Sequence, residues 1–253
     1  MKIPSLFLIV LLLVAVAGCV ASTPLAEAPV APATVSLVPP DYLEEATIIL
    51  TQPSDLVAHP YTDRDFSPAT TASIAWWLSP DFYDTTNMFR TYLRSSSPEQ
   101  SAYPEEQQIF FGFIRENLDD AIAVSVVQDE IILFRGISPG FANNVLSHAA
   151  YIEDAFASTS YDITIPLVTY GVRGDDGYKN VLLMSRAAGD HLLYINEGER
   201  EILLPRNLSW QVVKVAEIGE LTIESDFLLF SNRALRESVS DVRIITVVPV
   251  ASS

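Results

Sequence analysis

The spacing of apolar residues changes period about halfway along this 253-residue chain, and that change limits the class of fold it can adopt. Residues 70–77, 82–93 and 105–123 carry apolar side chains at helical spacing, the last with Ile109, Phe110, Phe113, Ile114 and Leu118 on one face. From residue 131 onward the pattern is one of short β-branched or apolar runs bounded by turn residues, at 131–134, 181–185, 201–204, 210–216 and 242–250. Helices followed by strands, rather than alternating with them, predict an α+β fold in which N-terminal helices pack on a mixed β-sandwich. Residues 41–94 have a mixed pattern that reads as helical in part, with Ser79-Pro80-Asp81 offering a helix start at Asp81. Residues 94–104 read as a polar loop, and residues 217–241 as an elaboration between the last strands.

Composition narrows the function. Hydrophobic residues at 49% and aromatic residues at 10% suit a globular chain. Residues 41–253 are long enough for one domain with its own core. The formal charge of −17 argues against a nucleic-acid partner, because phosphate binding needs a basic face. At the N-terminus Lys2 precedes an apolar run over residues 6–16, closed by Val16-Ala17-Gly18-Cys19. That tetrad resembles the lipobox of bacterial and some archaeal lipoproteins. The resemblance implies a signal peptide over 1–19, lipidation of Cys19 and a chain anchored to the outer face of a membrane. The alternative is a retained transmembrane anchor, but the run is short of the roughly 20 residues a span requires. Residues 20–40, rich in Ala, Pro, Val and Thr, read as a tether. Cys19 is the only cysteine, so an intrachain disulfide is excluded; once Cys19 is lipidated, so are a cysteine nucleophile and cysteine-ligated zinc.

Three short pieces carry candidate chemistry. Arg135 follows Ile131-Ile132-Leu133-Phe134 and precedes Gly136; an arginine at the end of a buried strand presents a rigid fork of donors that suits a diphosphate. Taken alone it is as readily an arginine reaching solvent or a carboxylate. Ser158-Thr159-Ser160 follows Phe156-Ala157, and hydroxyls that both donate and accept can bridge an arginine, a carboxylate and an amide. Glu199 and Glu201 are two apart, which on a strand places both side chains on one side, roughly 7 Å apart. In an acidic chain the same pair is also an ordinary solvated charge cluster.

In this order and at these separations, the pieces resemble the arginine, Ser-Thr-Ser and Glu-x-Glu signature of mono-ADP-ribosyltransferases of the exotoxin and ecto-enzyme type. The resemblance spans roughly residues 70–216. Tyr83 and Asn87 resemble a tyrosine and asparagine that face NAD in the related toxins. Tyr170-Gly171-Val172-Arg173 resembles the loop that contacts phosphate and nicotinamide, and Tyr194 the aromatic of the substrate-recognition turn. The family implies an α+β domain over 41–253 with an NAD-binding cleft, NAD+ as co-substrate, no metal, a protein acceptor and a monomer. By the same resemblance Arg135, Gly136 and Arg173 hold the phosphates and Tyr170 packs on the nicotinamide ring. Glu201 bonds the ribose 2′-hydroxyl and stabilises the developing cation, with Ser158 holding it. Glu199 orients the acceptor, and glutamate at that position goes with an arginine acceptor.

Other signals are weaker. Gly171, Gly174 and Gly177 lack dinucleotide-fold spacing, and no G-x-S-x-G elbow is present. His59, His148 and His191 have no ligand spacing, and Trp76-Trp77 reads as core packing beside the cleft. Two alternatives stay open: an NAD glycohydrolase, with water as acceptor, and a non-catalytic surface lipoprotein with the same fold.

Overall fold

The first element departs from the expected helical start. Asp41–Leu50 is a strand, β1, carrying the β-branched run Thr47-Ile48-Ile49. The computed structural model describes residues 38–50, 65–169, 171–196, 198–225 and 236–250, all within a unit spanning 35–253. The expected signal peptide, Cys19, most of the expected tether, His59 and Tyr170 lie outside the described residues.

The helical half begins at Ser67, whose hydroxyl accepts from Thr70 N at 3.1 Å, ahead of Pro68 at the first helical position. Helix α1 is Pro68–Leu78. A 3₁₀ turn, Pro80–Phe82, takes the place of the expected start at Asp81 and leads into α2, Tyr83–Arg94. The expected loop after it contains a short helix, α3, Ser97–Gln100, closed by a Ser96–Glu99 capping box. Helix α4, Glu105–Ala123, buries Phe111, Ile114, Leu118, Ala121 and Ile122, a face rotated from the one the sequence suggests. Ile109 is exposed instead. The run 109–113 is apolar all round, so packing decides: Phe111 lies 5.3 Å from Phe89 and 5.2 Å from Tyr92, centroid to centroid.

The second half contains β2 (Ile131–Gly136), α5 (Pro139–His148), β3 (Ala150–Glu153), β4 (Ala157–Ser160), one π-helical turn (Ile165–Thr169), β5 (Lys179–Arg186), β6 (Leu193–Asn196), β7 (Glu201–Leu204), β8 (Leu208–Ser225) and β9 (Arg236–Pro249). The described part of 217–241 is therefore the continuation of the β8–β9 ladder, which is antiparallel from Trp210↔Pro249 to Glu224↔Arg236. The strands form one mixed sheet in the order β1-β8-β9-β5-β2-β4-β7-β6, with β3 on the same edge of β8 as β1. Strands β8 and β4 are four steps apart, roughly 19 Å on a flat sheet. Only residues 154–156 join β3, on β8, to β4, and that link reaches at most about 14 Å. The sheet must therefore fold over on itself, which is how one continuous ladder encloses a core as a sandwich does.

Two cores result. One lies within the curled sheet and includes Leu133, Met184, Ile202, Leu204, Trp210, Leu221 and Ile245. The other joins the helices to β6 and β7 and includes Ile74, Trp76, Phe89, Phe111, Leu118, Phe156, Ile195 and Leu203. Strand alternation puts Ile202 and Leu204 in the first and Leu203 in the second, so β7 is the wall between them. Each such side chain, fully buried, stabilises the fold by about 1.5–3 kcal/mol. Arg206, just past β7, clamps the wall to α4 through Asp119, at 3.2 Å from Nε and 2.7 Å from Nη2.

Candidate active site

Strands β2 and β4 meet at a single register pair, Phe134↔Ser160. Their divergence, roofed by α1 and α2, leaves a cleft of about 540 Å³. Its lining includes Tyr83, Asn87, Arg135, Gly136, Ser158, Glu199 and Glu201, so most of the residues singled out from the sequence share one cavity. Gly136 makes a close approach: a Cβ there would sit 3.0 Å from the carbonyl oxygen of Pro166, in the π-turn that borders the cleft.

All three hydroxyls of the Ser-Thr-Ser strand act on the glutamate segment opposite. Antiparallel pairing sets Ser158 against Leu203 and Ser160 against Glu201. Ser158 therefore reaches Glu201 diagonally, and its Oγ donates to Oε1 at 2.5 Å. Thr159 Oγ1 donates to Ile202 O at 2.8 Å, and Ser160 Oγ to Glu199 O at 3.0 Å. Trp77 Nε1 donates to the same Oε1 of Glu201 at 3.3 Å. Glu201 is 7% exposed. Burial pushes its carboxyl above the usual range; the Ser158 and Trp77 hydrogen bonds and nearby Arg90 oppose that shift, and Glu199 adds to it.

Glu199 does not sit on the strand with Glu201, as simple alternation would have it. Strand β7 begins at Glu201, and Arg200 before it adopts φ 50°, so Glu199 lies in a turn. Both glutamates still line the cleft because the turn is pinned. Asn196 Oδ1 accepts from Gly198 N at 2.9 Å and Glu199 N at 3.3 Å, and Arg200 pairs with the fully buried Asp162.

The cleft also carries a cluster of cations. Arg90, Arg94 and Arg135 all line the cleft. Glu153, on β3 and only 2% exposed, anchors two of them: Oε1 accepts from Arg94 Nε at 3.2 Å and Nη2 at 2.8 Å, and Oε2 accepts from Arg135 Nη1. Burial raises the Glu153 carboxyl, but the two guanidiniums outweigh it and hold it below the usual range. Arg90 lies over the Trp77 ring, 4.5 Å from its centroid, and donates to Asn87 Oδ1 at 3.3 Å. Burial, and then the charge of Arg135, lower its affinity for a proton. Thr86 Oγ1 is buried in the lining with no hydrogen-bond partner among the described residues. Crowded guanidiniums and an orphaned hydroxyl fit an anionic, polar ligand. No cluster of three or more His, Cys, Asp or Glu suited to a metal occurs among the described residues.

Some expectations place elsewhere. Arg173 does not line the cleft; it donates to Gly177 O at 2.7 Å, Ser240 O at 2.9 Å and Asp241 Oδ2 at 3.1 Å. Tyr194 is buried in β6, 6.0 Å from Tyr161, because β6 is a core strand and not a turn. The sequence reading missed Glu153, which is 59 residues from Arg94 and 18 from Arg135 and carries no local signal. Arg90 was legible, since it lies seven residues after Tyr83 and three after Asn87 on one helical face.

The sequence matches no protein-family model and no curated protein. Among solved structures, the enzymatic component C2-I of the Clostridium botulinum C2 toxin is similar at 13% identity, covering 79% of this chain and 48% of C2-I, with a TM-score of 0.51. The chain thus spans about half the length of C2-I. The Clostridium limosum C3 exoenzyme is similar at 15% identity, covering 81% of this chain and 98% of that one, with a TM-score of 0.49. The ADP-ribosylating toxin BECa of a Clostridium perfringens binary enterotoxin, solved with NADH, is similar at 13% identity, covering 78% and 46%, with a TM-score of 0.48. The likeness to C2-I places this chain in the α+β fold expected from its sequence.

Proposed function

We propose that this chain is a mono-ADP-ribosyltransferase that uses NAD+ as co-substrate and transfers ADP-ribose to an arginine side chain of a protein. One observation carries the reading: Glu201, buried and held by Ser158, shares a single cleft with Arg90, Arg94 and Arg135. A buried carboxylate in one cleft with several arginines suits a cationic sugar centre joined to a diphosphate.

Arg135, Arg94 and Arg90 hold the phosphates, and Thr86 offers its unpartnered hydroxyl to the ligand. Tyr83, largely exposed on α2, supplies an aromatic face at the rim. Breaking the nicotinamide–ribose bond sends the bonding pair to nicotinamide and leaves oxocarbenium character on the ribose. Glu201 stabilises that charge from one side, and Glu199 on its pinned turn receives the proton that the attacking guanidine loses. Glutamate at 199 supports arginine as acceptor. For the N-terminus, the Val16-Ala17-Gly18-Cys19 tetrad supports lipidation of Cys19 and display on the outer face of a membrane; labelled fatty acid incorporated by the wild type and not by Cys19→Ser tests that part.

The deciding assay incubates the full chain with labelled NAD+ and an arginine-rich protein, wild type beside Glu201→Gln. Label on arginine, lost in the variant at nearly unchanged NAD+ affinity, is expected. Free ADP-ribose without protein label identifies water as the acceptor. Full activity in Glu201→Gln would falsify the assignment.

A further inference from the structure

The contacts of Glu201 are unevenly shared between its two oxygens. Ser158 Oγ at 2.5 Å and Trp77 Nε1 at 3.3 Å both donate to Oε1, and no bond from a described residue reaches Oε2. Trp77 itself has little freedom. Its ring is buried edge-on against Phe156, at 6.1 Å between centroids and 83° between planes, and Arg90 covers it at 4.5 Å. A buried indole N–H needs an acceptor, and the single donor of Trp77 is spent on this carboxylate.

We infer that Trp77 is a positioning residue for Glu201: its N–H, with the Ser158 hydroxyl, occupies Oε1 and leaves Oε2 as the oxygen presented to the ribose hydroxyl of the substrate. The inference rests on the NAD+ reading of this cleft. Two donors from different elements, α1 and β4, fix the carboxylate plane more firmly than one. They also favour its ionised form against burial and against Glu199 on the adjoining turn. The other charges in the cleft are Arg90 and Arg94 from α2 and Arg135 from β2, with Glu153 paired to the last two.

The test compares the full chain as wild type, Trp77→Phe, Glu201→Gln and Phe89→Leu. Phe89 packs on Trp76, Phe111 and Phe156, so its replacement disturbs the same core without touching the indole donor. For Trp77→Phe, NAD+ consumption falls about tenfold on the acidic limb of the pH profile and stays within about twofold on the alkaline plateau, with KM for NAD+ little changed. Phe89→Leu lowers the melting temperature and leaves the profile in place. A readout free of NAD+ is indole fluorescence against pH, since a neighbouring carboxyl quenches differently when protonated and when ionised. An acid transition is expected in the wild type and is lost in both Trp77→Phe and Glu201→Gln. A Trp77→Phe profile that overlays the wild type, or a transition that survives in Glu201→Gln, overturns the inference. The comparison of wild type with Glu201→Gln needs no substitution at Trp77, so it decides even where Trp77→Phe fails to fold. A wild type that never consumes NAD+ removes the reading of the cleft and leaves the fluorescence comparison to decide the contact.

Discussion

Replacing Glu153 with Gln tests the arginine wall, and the geometry sets the size of the effect. The carboxylate accepts from Arg94 twice, from Ala155 N at 3.3 Å, and from Arg135. A glutamine has one acceptor oxygen and one donor nitrogen, so it must abandon one side. With its oxygen at Oε1 it keeps Arg94 and Ala155 and sets N–H against the N–H of Arg135, whose side chain is 19% exposed. With its oxygen at Oε2 it keeps Arg135 and turns away Arg94, whose side chain is 42% exposed and can reach water, but it also strands Ala155 N. Breaking a buried pair costs about 3–5 kcal/mol, and a charge-assisted bond alone about 1.5–3 kcal/mol. Partial exposure of both arginines puts Glu153→Gln at the low end, about 2–3 kcal/mol. For a domain of this size that lowers the melting temperature by about 4–12 °C. Thermal melts at pH 7 measure it, and a double-mutant cycle apportions it. Coupling of Glu153 to Arg135 should exceed its coupling to Arg94, because the Arg94 pair is closer to a surface salt bridge. Inorganic pyrophosphate should restore Glu153→Gln by more degrees than it adds to the wild type, since the cleft then carries one more uncompensated positive charge. A melt within 1 °C of wild type would refute the claim that Glu153 anchors these arginines, and equal couplings would refute the ranking of the two.

The two buried glutamates give opposite pH signatures. The Glu201 carboxyl is raised in the folded state, so its favourable contribution is complete below the unfolded value of about 4.3 and is lost as pH rises through the folded value. Glu201→Gln should therefore melt with the wild type in acid and above it at pH 7; a variant less stable than wild type at neutral pH would contradict this. The Glu153 carboxyl is lowered, so its contribution is present above the unfolded value and lost as pH falls through the folded one. The deficit of Glu153→Gln should shrink on acidification, read from the same melts. Gly136→Ala forces a Cβ to within 3.2 Å of the Pro166 ring as well as 3.0 Å of its carbonyl oxygen, and should cost about 1–3 kcal/mol. Because Ile165 and Pro166 line the cleft, KM for NAD+ should rise with it, and an unchanged melt and KM would show the π-turn to be free to move.

Much of this molecule is local, and local features could be read along the chain. The change of apolar period marks where helices give way to strands, because a side chain's face is set by 3.6 residues per turn or by two. Arg135, Ser158 and Glu201 stood out as polar groups at the borders of apolar runs, and β2, β4 and β7 bring them together. Pairing between distant segments was not legible. Strand β1 joins β8 in parallel across more than 160 residues, and nothing near Asp41 announces that partner. The buried face of α4 depended on which aromatic rings it met. The turn that carries Glu199 depended on Arg200 finding Asp162, and that pairing set a left-handed backbone where alternation alone implied a strand. Glu153 and Trp77 are ordinary residues of a strand and a helix until the folded sheet sets one beneath two arginines and the other beside Glu201. The sequence by itself determined the change from helices to strands and the candidate groups Arg135, Ser158 and Glu201, because propensity and periodicity act between near neighbours. Only the tertiary structure decided which charges are buried, which donors reach Glu201 and which arginines share its cleft, because burial and hydrogen-bond partnership are properties of segments brought together in space.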